Sequence, residues 1–267
     1  MRFALIADVH YPSRAPRAAT FVKAIISDPS VEFVVNAGDL TDNGYAENTT
    51  CASCFGLRTR HIDNELVDYI THFDTPLRTV GKPVFSVPGN TDKYNGCLPV
   101  DSFIRERHGG THYMLVREGV VFVYCDVYPN AAVLAWFQRK LRADPTLREK
   151  PFIFIFHYNL EDSSFGANTL DDWTTQEKCA FRNAIENLNV LGIFTGHLHQ
   201  TYTYKWNKYN VYCTGGENWA IVDLLTASSE QSEQSEQSEQ SVTLQVTFTD
   251  KAIDPIMLNN KNNTSYV

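Results

Sequence analysis

Nowhere in the 267 residues do more than two lysines or arginines stand together, and acidic side chains outnumber basic ones by 31 to 23. The formal net charge of −8 and the lack of a basic run argue against a nucleic-acid groove, which needs a basic face to neutralise backbone phosphates. An anionic ligand is not excluded, because bound cations can dominate a local field. Long hydrophobic runs are also missing, and no apolar stretch approaches the length of a membrane span. No basic leader with an apolar segment and small-residue cleavage site precedes the first apolar run, so the chain is read as cytoplasmic or already processed. Cysteine is sparse. The six residues (Cys51, Cys54, Cys97, Cys125, Cys179, Cys213) are scattered, and no second CxxC joins Cys51 and Cys54 to complete a structural zinc site. Reduced thiols in a loop are expected, with a Cys51–Cys54 bridge as the alternative. Asn48-Thr49-Thr50 and Asn263-Thr264-Ser265 fit the glycosylation pattern, which arises often by chance.

What is present belongs to a globular chain. Hydrophobic residues make up 43% and aromatics 12%, enough to build a core and too much for a disordered segment. The length suits one large α/β domain or two small ones. Arg2 to Ala7 is a β-leaning apolar run and predicts a buried strand, followed by Asp8-Val9-His10 where strand gives way to loop. Phe21, Val22, Ile25 and Ile26 recur at helical spacing between Pro16 and Ser27, and Val31 to Asn36 is a second strand ending at Gly38-Asp39. This strand, helix, strand order is that of a right-handed βαβ unit. Residues 41 to 60 read as an irregular loop, and His61 to Val80 as one long amphipathic helix. The strand Val84 to Val87 runs out at Pro88-Gly89-Asn90.

Further on, His112 to Arg117 and Val120 to Asp126 flank Glu118-Gly119 and predict a tight hairpin. Ala131 to Arg142 reads as a helix. Pro151 to Phe156 is apolar on both faces, as a central strand requires, and ends at His157. Thr174-Thr175-Gln176-Glu177 resembles a capping box opening a helix to about Asn187. Leu191 to Thr195 ends at Gly196-His197-Leu198-His199. Beyond it, Tyr202 to Lys205, Tyr209 to Cys213, Trp219 to Leu225 and Val242 to Phe248 are strands without helices between them. The last two flank an acidic low-complexity run over 229–241, four Ser-Glu-Gln triplets, read as a disordered loop between paired strands. The end after Asn259 is expected to fray.

Five strand ends therefore carry chemically apt groups: Asp8 and His10, Asp39, Asn90, His157, and His197 with His199. In open α/β sheets, ligands bind in the crevice beyond the carboxyl ends of the strands. Three carboxylate or amide oxygens and four imidazoles suit two divalent cations of the transition series.

Asp8-x-His10, Gly38-Asp39, Gly89-Asn90-x-Asp92, His157 and Gly196-His197-x-His199, in this order, resemble the calcineurin-like metallophosphoesterase superfamily. The resemblance runs from residue 8 to residue 199. It implies an α/β fold built as a four-layer α/β/β/α sandwich, one domain over 1–267, with the metal site at the C-terminal ends of the strands. Carried over, it implies that Asp8, His10 and His199 hold one metal, that Asn90, His157 and His197 hold the other, and that Asp39 bridges. The implied cofactors are two transition-type ions such as Mn, Fe or Zn. The implied chemistry is hydrolysis of a small phosphoester, a nucleotide or glycerophosphodiester among the candidates, by a shared hydroxide attacking phosphorus in line.

Two positions depart from the family pattern. Where the family reads GNHD, this chain reads Gly89-Asn90-Thr91-Asp92. Thr91 donates a hydrogen bond but is no acid near neutral pH, and losing a general acid costs ~10²–10⁴-fold for a poor leaving group. Asn90, Thr91, Asp92 and Asp39 are the expected catalytic positions, and by resemblance the substitution points to diesters rather than monoesters. The alternatives are a phosphomonoesterase, or a scaffold of the same fold with weak or no activity. Asp42 stands where purple acid phosphatases carry the tyrosine of a ferric site, which argues against a tyrosinate-bound iron. Loops 41–60, 92–110 and 158–173 are expected to set the substrate, and His108 is a candidate to stand in for the missing histidine. Asp92 and backbone carbonyls are candidates to orient the histidine rings.

Overall fold

A computed structural model describes residues 1–43, 65–96, 99–161, 173–215, 218–227 and 241–249. The first sheet has the order β11-β10-β1-β2-β3. It comprises β1 (Arg2–Ile6), β2 (Phe33–Asn36), β3 (Val84–Ser86), β10 (Ala220–Ala227) and β11 (Ser241–Phe248). Strands β1, β2 and β3 run parallel, and β10 and β11 are antiparallel additions. The second sheet has the order β4-β5-β6-β7-β9-β8. Its strands are β4 (His112–Arg117), β5 (Val120–Cys125), β6 (Phe152–Ile155), β7 (Val190–Thr195), β8 (Tyr202–Trp206) and β9 (Tyr209–Cys213).

Side-chain alternation along each strand explains the layering. Phe122, Tyr124, Ile153 and Ile155 point between the sheets and join Phe3, Phe33 and Phe194 in one core. Their neighbours Val121, Val123, Phe152 and Phe154 point the other way, onto α5 (Ala131–Ala143) and α6 (Thr175–Ile185). On the outer face of the first sheet lie α1 (Ala15–Ser27) and the helical stretch from Glu65 to Thr79, which bring Phe21, Phe73 and Leu77 into the core. Two sheets flanked by helices are the expected four layers. No helix among the described residues is long and apolar enough to cross a membrane.

Local signals are met where chemistry at short range decides. Glu118 and Gly119 both adopt positive φ, 46° and 80°, as a two-residue hairpin with the right twist requires. Thr174 and Glu177 form the reciprocal capping box. Two expectations are corrected. The long helix is not continuous: α2 (Glu65–Tyr69) and α3 (Thr75–Thr79) are separated by a π-helical turn, Ile70–Asp74. Pro76 supplies the reason, since it lacks an N–H and crowds the carbonyl four residues back. Within 92–110, expected as loop, a 3₁₀ turn (Thr91–Gly96) leads to α4 (Pro99–His108). Its apolar face is one short turn, Val100, Phe103 and Ile104, easily lost in a polar sequence.

Strand β11 starts at Ser241 and pairs with β10 over its length, so the strand takes the last residue of the expected loop. The triplets themselves, the Cys51–Cys54 loop and the tail after Asn259 lie outside the described residues.

Candidate metal centre

The C-terminal ends of β1, β2 and β3 in one sheet, and of β6 and β7 in the other, meet at a common edge. Hydrogen bonds stitch the elbows together: Asp8 N–H to Gly38 O at 2.9 Å, Gly196 N–H to His157 O at 3.0 Å, His197 N–H to Asp8 Oδ1 at 3.1 Å. The backbone turns sharply at each. Asp8, His10, Asp39, His197 and His199 all have φ between 46° and 76°, a region costing non-glycine residues of order 1–3 kcal/mol each. Of eight such residues among those described, five are sequence-predicted site residues. Close approach is also built in. A Cβ on Gly89 would stand 2.0 Å from Asp39 Oδ1 and 2.3 Å from its backbone N, so only glycine lets the β3 elbow lie against Asp39.

One group comprises Asp8, His10, Asp39 and His199, whose donor atoms all lie within 4.8 Å of one another. His10 Nε2 is 2.9 Å from His199 Nε2 and 3.5 Å from Asp39 Oδ2, and His199 Nε2 is 3.5 Å from Asp8 Oδ1. A second group faces it across Asp39. Asn90 Oδ1 is 2.9 Å from both His157 Nε2 and His197 Nδ1, and His157 Nε2 is 3.2 Å from Asp39 Oδ2. A single oxygen, Asp39 Oδ2, thus lies between the two groups. All seven residues named from the sequence are brought together.

The donor set fits divalent cations. His157 Nδ1 donates to the Ala37 carbonyl at 2.9 Å, so a neutral ring turns its Nε2 lone pair onto two oxygens, Asn90 Oδ1 and Asp39 Oδ2. Acceptors converging in this way need a proton or a cation among them. Burial works against the charged His157 ring, but the Asp39 and Asp8 carboxylates outweigh it and raise its pKa to about 9. Burial would raise Asp39, yet His157 and His10 hold it well below the usual carboxylate range. Desolvation pushes Asp8 up to about 6, and its Oδ2 is buried without a hydrogen-bond partner.

The structure assigns surroundings that sequence reading left open. Asp42 Oδ1 lies 3.4 Å from His10 Nδ1 and is itself held by the Ser13 hydroxyl at 2.7 Å, so it orients this ring. Arg17 is buried and donates to the Ala7, Asp8 and Asn218 carbonyls, which pins the β1 elbow. Its signal was legible: an arginine four residues before Phe21, in register with the buried face of α1. Arg14 Nη2 stands 2.9 Å from His199 Nδ1.

Asp92 does not reach a histidine ring in any hydrogen bond among the described residues. It is fully buried and accepts from Leu40 N, Thr41 N, Thr41 Oγ1 and Gly89 N at 2.8–3.0 Å. It therefore ties the β2 and β3 elbows together. Thr91 N–H donates to Asp39 Oδ1 at 3.0 Å, and its hydroxyl donates to Thr41 O at 2.6 Å. His108 ends α4, where its ring stacks on Tyr113 at 4.5 Å and leans on Phe85. Tyr158 packs against His197 at 4.8 Å, and Tyr128 stacks behind it at 5.5 Å.

A fold of two stacked sheets with acids and imidazoles at the shared C-terminal edge of its strands is that of the metal-dependent phosphoesterases. The family model "Calcineurin-like phosphoesterase" matches residues 1–201, and the chain belongs to that family. Among solved structures it is similar to GAP50, the anchor in the inner membrane complex of Plasmodium, at 12% identity and TM-score 0.50. That likeness covers 93% of this chain and 80% of the other. It is also similar to a putative 5'-nucleotidase from Staphylococcus aureus (13%, TM-score 0.48, 92% of this chain and 53% of the other). A third is the phosphopantetheinyl hydrolase of Mycobacterium tuberculosis (15%, TM-score 0.46, 80% and 89%). Comparison with curated proteins finds no match. At 12% identity the likeness to GAP50 speaks for the fold alone.

Proposed function

We propose that the chain is a dinuclear metal-dependent phosphoester hydrolase acting on diesters in preference to monoesters. The observation that carries this reading is the position of Asp39 Oδ2, 3.5 Å from His10 Nε2 and 3.2 Å from His157 Nε2, between two groups of nitrogen and oxygen donors. Asp8, His10 and His199 would hold one cation, Asn90, His157 and His197 the other, with Asp39 shared; Mn, Fe and Zn suit this donor set. When bound, two such cations supply Lewis-acid polarisation of a phosphoryl oxygen and a water of lowered pKa. The chain's own residues do the rest. Ala37 O and Asp42 fix the His157 and His10 rings, Asp92 holds the two elbows, and Thr91 N–H orients the Asp39 carboxylate.

The preference for diesters is supported by Thr91. Its hydroxyl is committed to Thr41 O, and it is no proton donor near neutral pH. A substrate with a good leaving group loses least from a missing acid. The same residue supports a second reading, a scaffold of this fold with little or no activity.

The test is a Mn²⁺-supplemented assay with bis-p-nitrophenyl phosphate, p-nitrophenyl phosphate and cyclic nucleotides, beside metal analysis. Expected are about two metal equivalents per chain and faster turnover of the diester, abolished in Asp39→Asn. No turnover above the Asp39→Asn background, with no metal after reconstitution, would leave the scaffold.

A further inference from the structure

The contact between Arg14 and His199 has a chemical consequence. A carbonyl-free guanidinium only donates, so the 2.9 Å contact is an Arg14 N–H given to His199 Nδ1. A neutral imidazole has one lone pair. Once Nδ1 has used it, the ring proton sits on Nε2, the atom facing His10 Nε2 and Asp8 Oδ1. A cation shared with Asp8 and His10 needs the Nε2 lone pair, and the ring proton must then sit on Nδ1, where it opposes the Arg14 N–H. The two arrangements exclude one another.

Arg14 also stands where an anionic substrate would need it. It is half-buried, and the His199 side chain is 43% exposed, so both lie at the solvent rim of the crevice. Asp8, Asp39 and Asp42 put carboxylates in or beside that crevice, and Arg17, further in, donates to the Ala7, Asp8 and Asn218 carbonyls. Among the described residues, Arg14 is the guanidinium in hydrogen-bond contact with a side chain of the two donor groups. A planar fork of N–H donors matches the oxygens of a phosphoryl group.

We propose that Arg14 is a phosphate-anchoring residue that His199 releases when the Asp8–His10–His199 group takes a cation. The Nη2 N–H that His199 gives up then donates to a non-bridging oxygen of the substrate. The inference rests on the phosphoesterase reading above and deepens it: it names the residue that grips the phosphate and links that grip to metal loading.

Two calorimetric titrations of wild type, Arg14→Gln and Arg14→Lys test it. The first uses Mn²⁺ alone and the second inorganic phosphate added to Mn²⁺-saturated protein. Arg14→Gln is expected to bind Mn²⁺ several-fold more tightly, because the competing contact is gone. It should bind phosphate about 10- to 100-fold more weakly, as loss of one charge-assisted hydrogen bond implies, and Arg14→Lys should recover part of that loss. Phosphate affinity unchanged in Arg14→Gln overturns the anchor, and Mn²⁺ affinity unchanged or lowered overturns the release. Failure of the wild type to bind Mn²⁺ overturns the phosphoesterase reading itself, and this proposal with it.

Discussion

Single residues at the crevice divide into those that face the donor groups and those that hold them. Asp92 is of the second kind, although its place in the motif suggests chemistry. Four donors from two elbows end on one buried carboxylate, so removing it strands backbone N–H groups that nothing else satisfies. Asp92→Ala is expected to lower unfolding free energy by about 3 kcal/mol or more in urea titration. It should also cost Mn²⁺ affinity, because Asp39 and Asn90 are carried on the freed elbows. Asp39→Asn should behave differently. Asparagine tolerates the φ of 53° at this position, so the variant removes charge at the crevice while keeping the backbone. Equal stability loss in the two variants would show that Asp92 has no special structural part.

At the scale of elements, α4 shows why a short amphipathic turn matters. It delivers His108, half-buried, to a stack on Tyr113 and Phe85 and beside Arg78 and Arg107. Burial, then these two cations, lower its pKa to about 4 from an ordinary 6.5. The folded chain therefore keeps His108 neutral down to about pH 4, while the unfolded chain takes up the proton from about pH 6.5. Between those limits the unfolded state binds more protons, so stability contributed here is lost as pH falls from about 6.5 to 4. His108→Phe keeps the stacking and removes the proton. Its urea midpoint should fall less than that of wild type between pH 7 and 4.5, and an equal fall would clear His108 of the effect. The elbows after β1, β2 and β7 follow another rule. Their left-handed residues are held by hydrogen bonds between strands rather than by local preference, as the links from Asp8 to Gly38 and from His197 to Asp8 show.

For the whole molecule, the core between the sheets is the binding element. Phe3 of the first sheet meets Phe122 and Phe194 of the second at 5.5 and 6.0 Å, and Phe33 also meets Phe122. Neither sheet can part from the other without exposing those rings. We propose that the chain is one domain and expect a single calorimetric unfolding transition; two resolved transitions would show two units. The crevice spans both sheets, so Mn²⁺ should raise the midpoint of that one transition by mass action.

Much was legible in the sequence. The both-faced apolar run at Phe152–Ile155 predicts a central strand, Glu118-Gly119 a hairpin and Thr174–Glu177 a cap, because each depends on neighbours a few residues apart. The order of strand-end acids and imidazoles likewise named seven residues that the fold brings together. Tertiary structure alone decided how they divide, with Asp39 Oδ2 between the groups, Thr91 turned onto Thr41, Asp92 spent on the elbows, and Arg14 on His199 across 185 positions of chain. The reason is range. Propensity and periodicity act over a turn or two, whereas which donor atoms converge depends on sheet register and on backbone torsions that distant strands impose.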